Sequence, residues 1–391
     1  MSMLCLYNGT LHTGLTVLHQ HTLIIENGRI KDVLSNERFK KMQLPDDAKV
    51  IDLQQINVAP GLIDTHIHGN GGYGTEDAST DSILGMSQEL LKYGVTGFLP
   101  TLYPMPEAEF LKAVAAVRDA MGREEGARIF GMHLEGPFIS PARLGVQRPE
   151  TVRPIDVGFM QKLWDISEGK ISLMTVAPEL EGLRDLAFFC MERGIVLSAG
   201  HTDASYDDMV EAMAIGVRHA THLFNAMHKL HHRDPGVVGA LLLHMDVSCE
   251  IIGDGYHVHP SLVRLLIRNK AADKVVLVTD ALKPTGQSEG PLFANNEEVY
   301  LSDEHIFLRK KDNVIAGSSL TMDRGVHNLY NFGVSLDMAF RMATANPAKI
   351  IGRDNHFGYL LPGMAADIVV MDYDFNVKLT IVGGEIKYST I

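Results

Sequence analysis

A chain of 391 residues, 46% hydrophobic and 21% charged, holds enough apolar material for one large core or two modest ones, which excludes a disordered segment. Its 48 acidic and 35 basic residues give a formal charge of −13 and are scattered without a block of like charge, so no polybasic surface for nucleic acid or lipid is expected. The opening Met1–Tyr7 lacks a basic region, a long apolar run and a cleavage site, and no later run reaches membrane-spanning length; a cytoplasmic chain is the expectation. Cys5, Cys190 and Cys249, odd in number and far apart in apolar surroundings, read as reduced core thiols.

In chain order, Leu4–Asn8, Thr22–Glu26, Arg29–Leu34 and Val50–Asp52 are short strands punctuated by Asn8-Gly9 and Asn27-Gly28 turns. Then β-branched apolar runs recur, each ending in polar residues or glycine: Leu62–His66, Val95–Thr101, Arg128–Glu135, Ile171–Ala177, Ile195–His201, Val217–His222, Ser248–Asp254 and Val275–Asp280. Helical stretches separate them, including Asp81–Lys92, Glu107–Ala120, Leu183–Arg193, Tyr206–Ile215 and Pro260–Asn269. Eight such strands predict an α/β (β/α)8 TIM-type barrel, with an open doubly wound sheet as the alternative. A β-hairpin insertion is expected over Glu297–Ile315, within about 291–316. The tail returns to short strands at Asp367–Asp372, Asn376–Val382 and Glu385–Tyr388, so both termini are expected to build one small β-sandwich domain (1–56 and 357–391) beside a barrel over 57–356.

The chemistry gathers at strand ends. His66 and His68 in Asp64-Thr65-His66-Ile67-His68-Gly69 alternate onto one side of the first barrel strand. Glu135 ends the third, His201 the fifth, His222 the sixth and Asp280 the eighth. In a barrel these ends share one rim, and one carboxylate with two to four imidazoles makes a nitrogen and oxygen site for zinc, ferrous iron or manganese that leaves a position for water. A bound divalent ion acidifies water and can polarise a carbonyl, so a hydroxide-like nucleophile could form there. Asp280, just outside the metal shell, is then the candidate base that takes the water's proton. Gly69-Asn70-Gly71-Gly72-Tyr73-Gly74 follows this motif rather than opening a long helix, so it reads as a rim loop and not a phosphate fingerprint.

These motifs carry a resemblance. Pro60-Gly61-Leu62-Ile63-Asp64-Thr65-His66-Ile67-His68-Gly69, His133-Leu134-Glu135-Gly136-Pro137, Gly200-His201-Thr202, His222-Leu223-Phe224-Asn225-Ala226-Met227, Thr279-Asp280-Ala281 and Leu361-Pro362-Gly363-Met364-Ala365-Ala366-Asp367 together resemble the N-acetylglucosamine-6-phosphate deacetylases of the amidohydrolase superfamily. The resemblance implies that Glu135, His201 and His222 hold the main divalent ion, Zn2+ before Fe2+ or Mn2+, and that His66 and His68 help to hold a second. It also implies an amino-sugar phosphate held by Asn225, the backbone at Ala226, Arg233, His257 and the Leu320 segment, and a homodimer in which Arg233 reaches the partner's site. The fourth strand ends in Val176-Ala177-Pro178 with no lysine, against a dihydroorotase-like centre; a bridging role would fall to Glu135. Gln147 stands where some members place a histidine against the substrate, and it can hydrogen-bond but cannot supply a proton as imidazolium does. Two rival readings are a deacetylase of N-acetylgalactosamine 6-phosphate and a non-catalytic scaffold, the latter disfavoured by an unbroken ligand set.

Overall fold

In the computed structural model, which describes residues 3–287 and 291–391, strands from both chain ends form one eight-stranded sheet. Met1 and Ser2, part of the opening segment read above, lie outside the described residues. The sheet runs Glu385–Ser389, Val377–Val382, Ile368–Met371, Asn57–Pro60, Leu4–His12, Val17–Glu26, Arg29–Ser35, with Lys49–Asp52 added in parallel to Leu4–His12. Asn27 and Gly28, both left-handed at φ 52° and 74°, make the two-residue turn that sets Glu26 opposite Arg29. Leu6, Leu11, Leu23, Ile30, Ile368 and Ile381 fill the core on one face of this sheet.

The rest is a nearly closed barrel of eight parallel strands: Leu62–Ile67, Val95–Leu102, Met132–Glu135, Ile171–Val176, Val196–Ala199, His219–Ala220, Ser248–Ile252 and Val275–Val278. Asp64 closes the seam between first and last strands, taking a hydrogen bond from the Thr279 hydroxyl at 2.6 Å. The Asp280 N–H donates to the His66 carbonyl at 2.9 Å across the same seam. The barrel helices follow the expected order, and Ser205 opens Tyr206–Ala214 with a reciprocal cap to Asp208. No helix among the described residues is long and apolar enough to cross a membrane. The three cysteines are free and buried.

Three differences from the sequence reading have physical causes. The third strand is interrupted between Arg128–Ile129 and Met132–Glu135, because Gly131, at φ 152°, passes so close to Ser172 that a methyl there would meet its Oγ at 1.9 Å. The fifth, sixth and eighth strands each end two residues before His201, His222 and Asp280, whose backbones turn left-handed and leave the ladder. The insertion is a four-stranded antiparallel meander rather than a hairpin: Leu292–Ala294, Glu297–Leu301, Ile306–Arg309 and Ile315–Ser318. Of its two extra strands, Leu292–Ala294 is folded back on Glu297–Leu301 by Asn295-Asn296, left-handed at φ 49° and 61°, and Ile315–Ser318 pairs on the far side with Ile306–Arg309. The barrel interior is also unusually polar, where branched aliphatic side chains commonly dominate: His133 bonds Thr175 at 2.8 Å, and Thr221 bonds Thr175 at 2.8 Å and Ser198 at 2.6 Å.

Candidate metal centre

Two adjoining sets of donors meet at the barrel mouth: Glu135, His201 and His222, and His66, His68 and Asp280, with the ligand atoms of each set within 4.8 Å of one another. Glu135 belongs to both neighbourhoods. Its Oε1 lies 3.0 Å from His201 Nε2, 3.1 Å from His222 Nε2 and 3.4 Å from His66 Nε2, while Oε2 lies 3.4 Å from His68 Nε2. Asp280 Oδ1 completes the second set at 3.4 Å from His68 Nε2 and 3.6 Å from His66 Nε2.

The tautomers are imposed from behind. His68 Nδ1 donates to the Thr101 carbonyl at 3.0 Å, and His201 Nδ1 to the Arg143 carbonyl at 3.0 Å. A carbonyl only accepts, so the proton sits on Nδ1 and the Nε2 lone pair faces the mouth. His66 Nδ1 is likewise 2.9 Å from Glu250 Oε2, and its buried Nε2 has no partner among the described residues. Lone pairs of imidazole and carboxylate crowded together within about this spacing repel unless a cation lies between them, and backing of imidazole by carbonyl or carboxylate is the habit of metal ligands. The donors present therefore fit a divalent ion.

The electrostatics agree. Burial acts to discharge His66 and His68, yet Glu250, Asp280 and Glu135 around them outweigh it and raise both pKa values, His66 well above the ordinary value. Burial acts to raise the carboxyls of Glu135 and Asp280, and the neighbouring histidines hold both below the ordinary value, Glu135 well below it. Protons taken up here occupy the place of a cation, and metal binding would release them. Burial pushes the Asp64 carboxyl at the seam up to about 7.

The cavity over these groups, about 600 Å³ and open to solvent, is lined by His68, Tyr103, Glu135, Gln147, His201, His222, Asn225, Ala226, His257, Asp280 and the strand edge Ile315-Ala316-Gly317. Gln147 Nε2 donates to Glu135 Oε2 at 2.6 Å, and its Oε1 is buried without a partner among the described residues. Asn225 Nδ2 donates to the His222 carbonyl at 3.2 Å, and His257 is held by Asp254 at 2.5 Å. Arg233 stands apart, exposed on its loop and outside this lining. Leu320 is also outside it: it packs with Ile252, Val276 and Val278 and faces a neighbouring cavity with Tyr256 and Arg324. Two residues that the sequence reading omitted stand close to the donors. Tyr103 stacks on His68, ring centroids 3.7 Å apart and 5° from parallel, and Glu250 supports His66. A lone acid inside the apolar run Cys249-Glu250-Ile251-Ile252 is the sequence signal for the second.

A parallel barrel whose rim gathers imidazoles and carboxylates around ion-sized gaps defines a metal-dependent hydrolase of the amidohydrolase type. Residues 57–387 match the amidohydrolase family, and residues 3–58 match the NagA composite domain. The N-acetylglucosamine-6-phosphate deacetylase of Bacillus subtilis is 35% identical over 374 residues, covering 93% of this chain and 92% of that one. The crystal structure of the N-acetylglucosamine-6-phosphate deacetylase from Pasteurella multocida superposes with a TM-score of 0.91 at 32% identity, over 98% of this chain and 99% of that one. A mutant of the Mycobacterium smegmatis enzyme in complex with N-acetyl-D-glucosamine-6-phosphate gives 0.91 at 28% identity over the whole of both chains. The chain belongs to the amidohydrolase family and, within it, to the N-acetylglucosamine-6-phosphate deacetylases.

Proposed function

We propose that the chain hydrolyses N-acetyl-D-glucosamine 6-phosphate to D-glucosamine 6-phosphate and acetate, in amino-sugar catabolism and cell-wall sugar recycling. The observation that carries this reading is the convergence of Glu135, His201 and His222 beside His66, His68 and Asp280 under one substrate-sized cavity. Glu135, His201 and His222 would hold the main divalent ion, Zn2+ before Fe2+ or Mn2+, and His66 and His68 would help to hold a second beside it. A divalent ion bound there supplies an acidified water and polarisation of the acetyl carbonyl. Asp280, at the cavity wall, takes the proton of the attacking water on its carboxylate and returns it to the amine nitrogen as the C–N bond breaks.

Substrate is held by the surrounding rim. Gln147, fixed by its amide to Glu135, offers Oε1 to a donor on the acetamide or sugar. Asn225, the Ala226 backbone and His257 line the same cavity. Arg233, exposed and with its planar fork unengaged by the cavity of its own chain, serves the phosphate of a partner subunit in a homodimer. Leu320 supports the pocket from behind. Residues 1–56 and 357–391 act as one small β-domain, whose sheet also takes in Asn57–Pro60, and the remainder of 57–356 as the catalytic barrel of a cytoplasmic enzyme.

The test is release of free amine from three sugars: N-acetylglucosamine 6-phosphate, its unphosphorylated form and N-acetylgalactosamine 6-phosphate. Fast turnover of the first and slow turnover of the other two is expected; equal rates on phosphorylated and free sugar would sink the phosphate site. Asp280→Asn is expected to keep its principal metal and lose about 10²- to 10⁴-fold in kcat, whereas near-normal kcat would remove Asp280 from the proton transfers.

A further inference from the structure

Glu250 lies in the middle of the seventh barrel strand, fully buried, between Cys249 and Ile251, which pack outward into the apolar core. A carboxylate placed there is expensive unless every lone pair is used. It is used on three sides. Oε2 accepts from His66 Nδ1 at 2.9 Å and from the main-chain N–H of His222 at 3.1 Å, and Oε1 lies 3.3 Å from His219 Nε2. Neither His219 nor Glu250 lines the cavity, so neither meets substrate.

One oxygen therefore joins one residue from each donor set: His66 of the second and His222 of the first. The two connections differ in kind. His222 is held through its backbone, and its imidazole stays free to face Glu135 whatever stands at position 250. His66 is held through the ring itself. By accepting from Nδ1, Glu250 commits that nitrogen's proton, and Nε2 is left as a bare donor aimed between Glu135 Oε1 at 3.4 Å and Asp280 Oδ1 at 3.6 Å. In the opposite tautomer the Nδ1 lone pair would face a carboxylate, which is repulsive.

We propose that Glu250 is the positioning residue of the second cation site: it sets the tautomer and orientation of His66, and the chain's capacity for two ions depends on it. The inference rests on the two-ion reading above. Loss of a carboxylate behind a metal-bound histidine typically weakens the metal by roughly 10- to 100-fold. Glu250→Gln keeps the shape but can offer a donor as readily as an acceptor, so the His66 tautomer is no longer imposed.

Full-length protein stripped by chelation and titrated with Zn2+ against a chromophoric chelator tests this. The unmodified chain is expected to take up two equivalents. Glu250→Gln is expected to retain the first with unchanged affinity and to bind the second roughly 10- to 100-fold more weakly, with unchanged far-ultraviolet dichroism. Two equivalents of unchanged affinity in Glu250→Gln would overturn the proposal while leaving the two-ion reading intact, and so would equal weakening of both, the mark of a scaffold role. A single equivalent in the unmodified chain overturns the two-ion reading and the proposal with it. Glu250→Asp, which keeps the charge and withdraws it by one methylene, should give the same split in milder form. On the unmodified chain loaded with Zn2+, nitrogen-15 histidine spectra should report His66, identified by its loss in His66→Gln, as the Nδ1–H form; the Nε2–H form would also overturn the proposal.

Discussion

His201, His222 and Asp280 turn their backbones to φ of 46°, 29° and 51°, a region that costs a side-chain-bearing residue about 1 to 2 kcal/mol. The turn lifts each residue off its strand and swings the side chain back over the barrel mouth. Which residues do this was legible: polar groups after β-branched runs mark the rim of a parallel barrel, and Asp64-Thr65-His66-Ile67-His68 shows its alternation openly. Their conformation was not legible, because it is set by packing against strands remote in sequence. Glu250 escaped for the same reason, its partner His66 being 184 residues away. Tyr103 offered even less, since stacking on an imidazole leaves no spacing to read. Its hydroxyl is buried with no partner among the described residues, while its ring does the packing. An unpaired buried hydroxyl costs about 1 to 3 kcal/mol, so Tyr103→Phe should melt no lower than the parent in a thermal scan of metal-free protein. A fall of several degrees would show that the hydroxyl is bonded in solution.

At the scale of elements, helix bounds followed from amphipathic spacing, and Glu107–Ala120 and Pro260–Asn269 stand as read. The insertion did not: the hairpin expected over Glu297–Ile315 leaves out Leu292–Ala294, because Asn295-Asn296 is a turn only once its two left-handed conformations are accepted. The last of these, Ile315–Ser318, lines the cavity, so the meander helps shape the pocket. Barrel strands also tolerate little growth. A methyl on Gly97 would lie 2.0 Å from Phe130 Cε2, and that ring is pinned by Phe357, with centroids 4.6 Å apart, and by Ile63, Leu99 and Leu173. Overpacking of this kind costs about 1 to 3 kcal/mol. Gly97→Ala should therefore lower Tm by about 1 to 4 °C, measured by calorimetry, and an unchanged Tm would mean that Phe130 has room to retreat.

The whole molecule is tied together where the chain passes from barrel to terminal sheet. Asp367 accepts from Arg128 at 2.9 Å and from the Gly383 N–H at 2.7 Å, and its carbonyl takes the Gly61 N–H at 2.8 Å. Burial raises the Asp367 carboxyl and Arg128 offsets part of that rise, so the folded state holds this proton more tightly than the unfolded chain does. The sign follows: the ionised carboxylate is the costly form, and its cost grows as pH climbs through the raised folded value. Arg128→Met removes the counter-charge. The expected loss is about 1 to 3 kcal/mol near pH 8, discounted because Arg128 is partly exposed. It should shrink as pH is lowered toward about 5, where the carboxyl can protonate. Urea titrations at the two pH values would read this, and a loss that grew on acidification would contradict it.

That the sheet came from both ends was readable in the two sets of short strands, though the pairing of Asn57–Pro60 between Leu4–His12 and Ile368–Met371 was not. The pairing bears on biosynthesis. Leu4–His12 and Asn57–Pro60 emerge early from a ribosome, but the hydrogen-bonding edge of Asn57–Pro60 finds its neighbour only when Ile368–Met371 has been translated. Throughout that interval the nascent chain displays an open strand border, a surface that invites association with other chains or capture by chaperones. Completion of the sheet therefore waits for Ile368–Met371, which closes on a strand made far earlier in the chain.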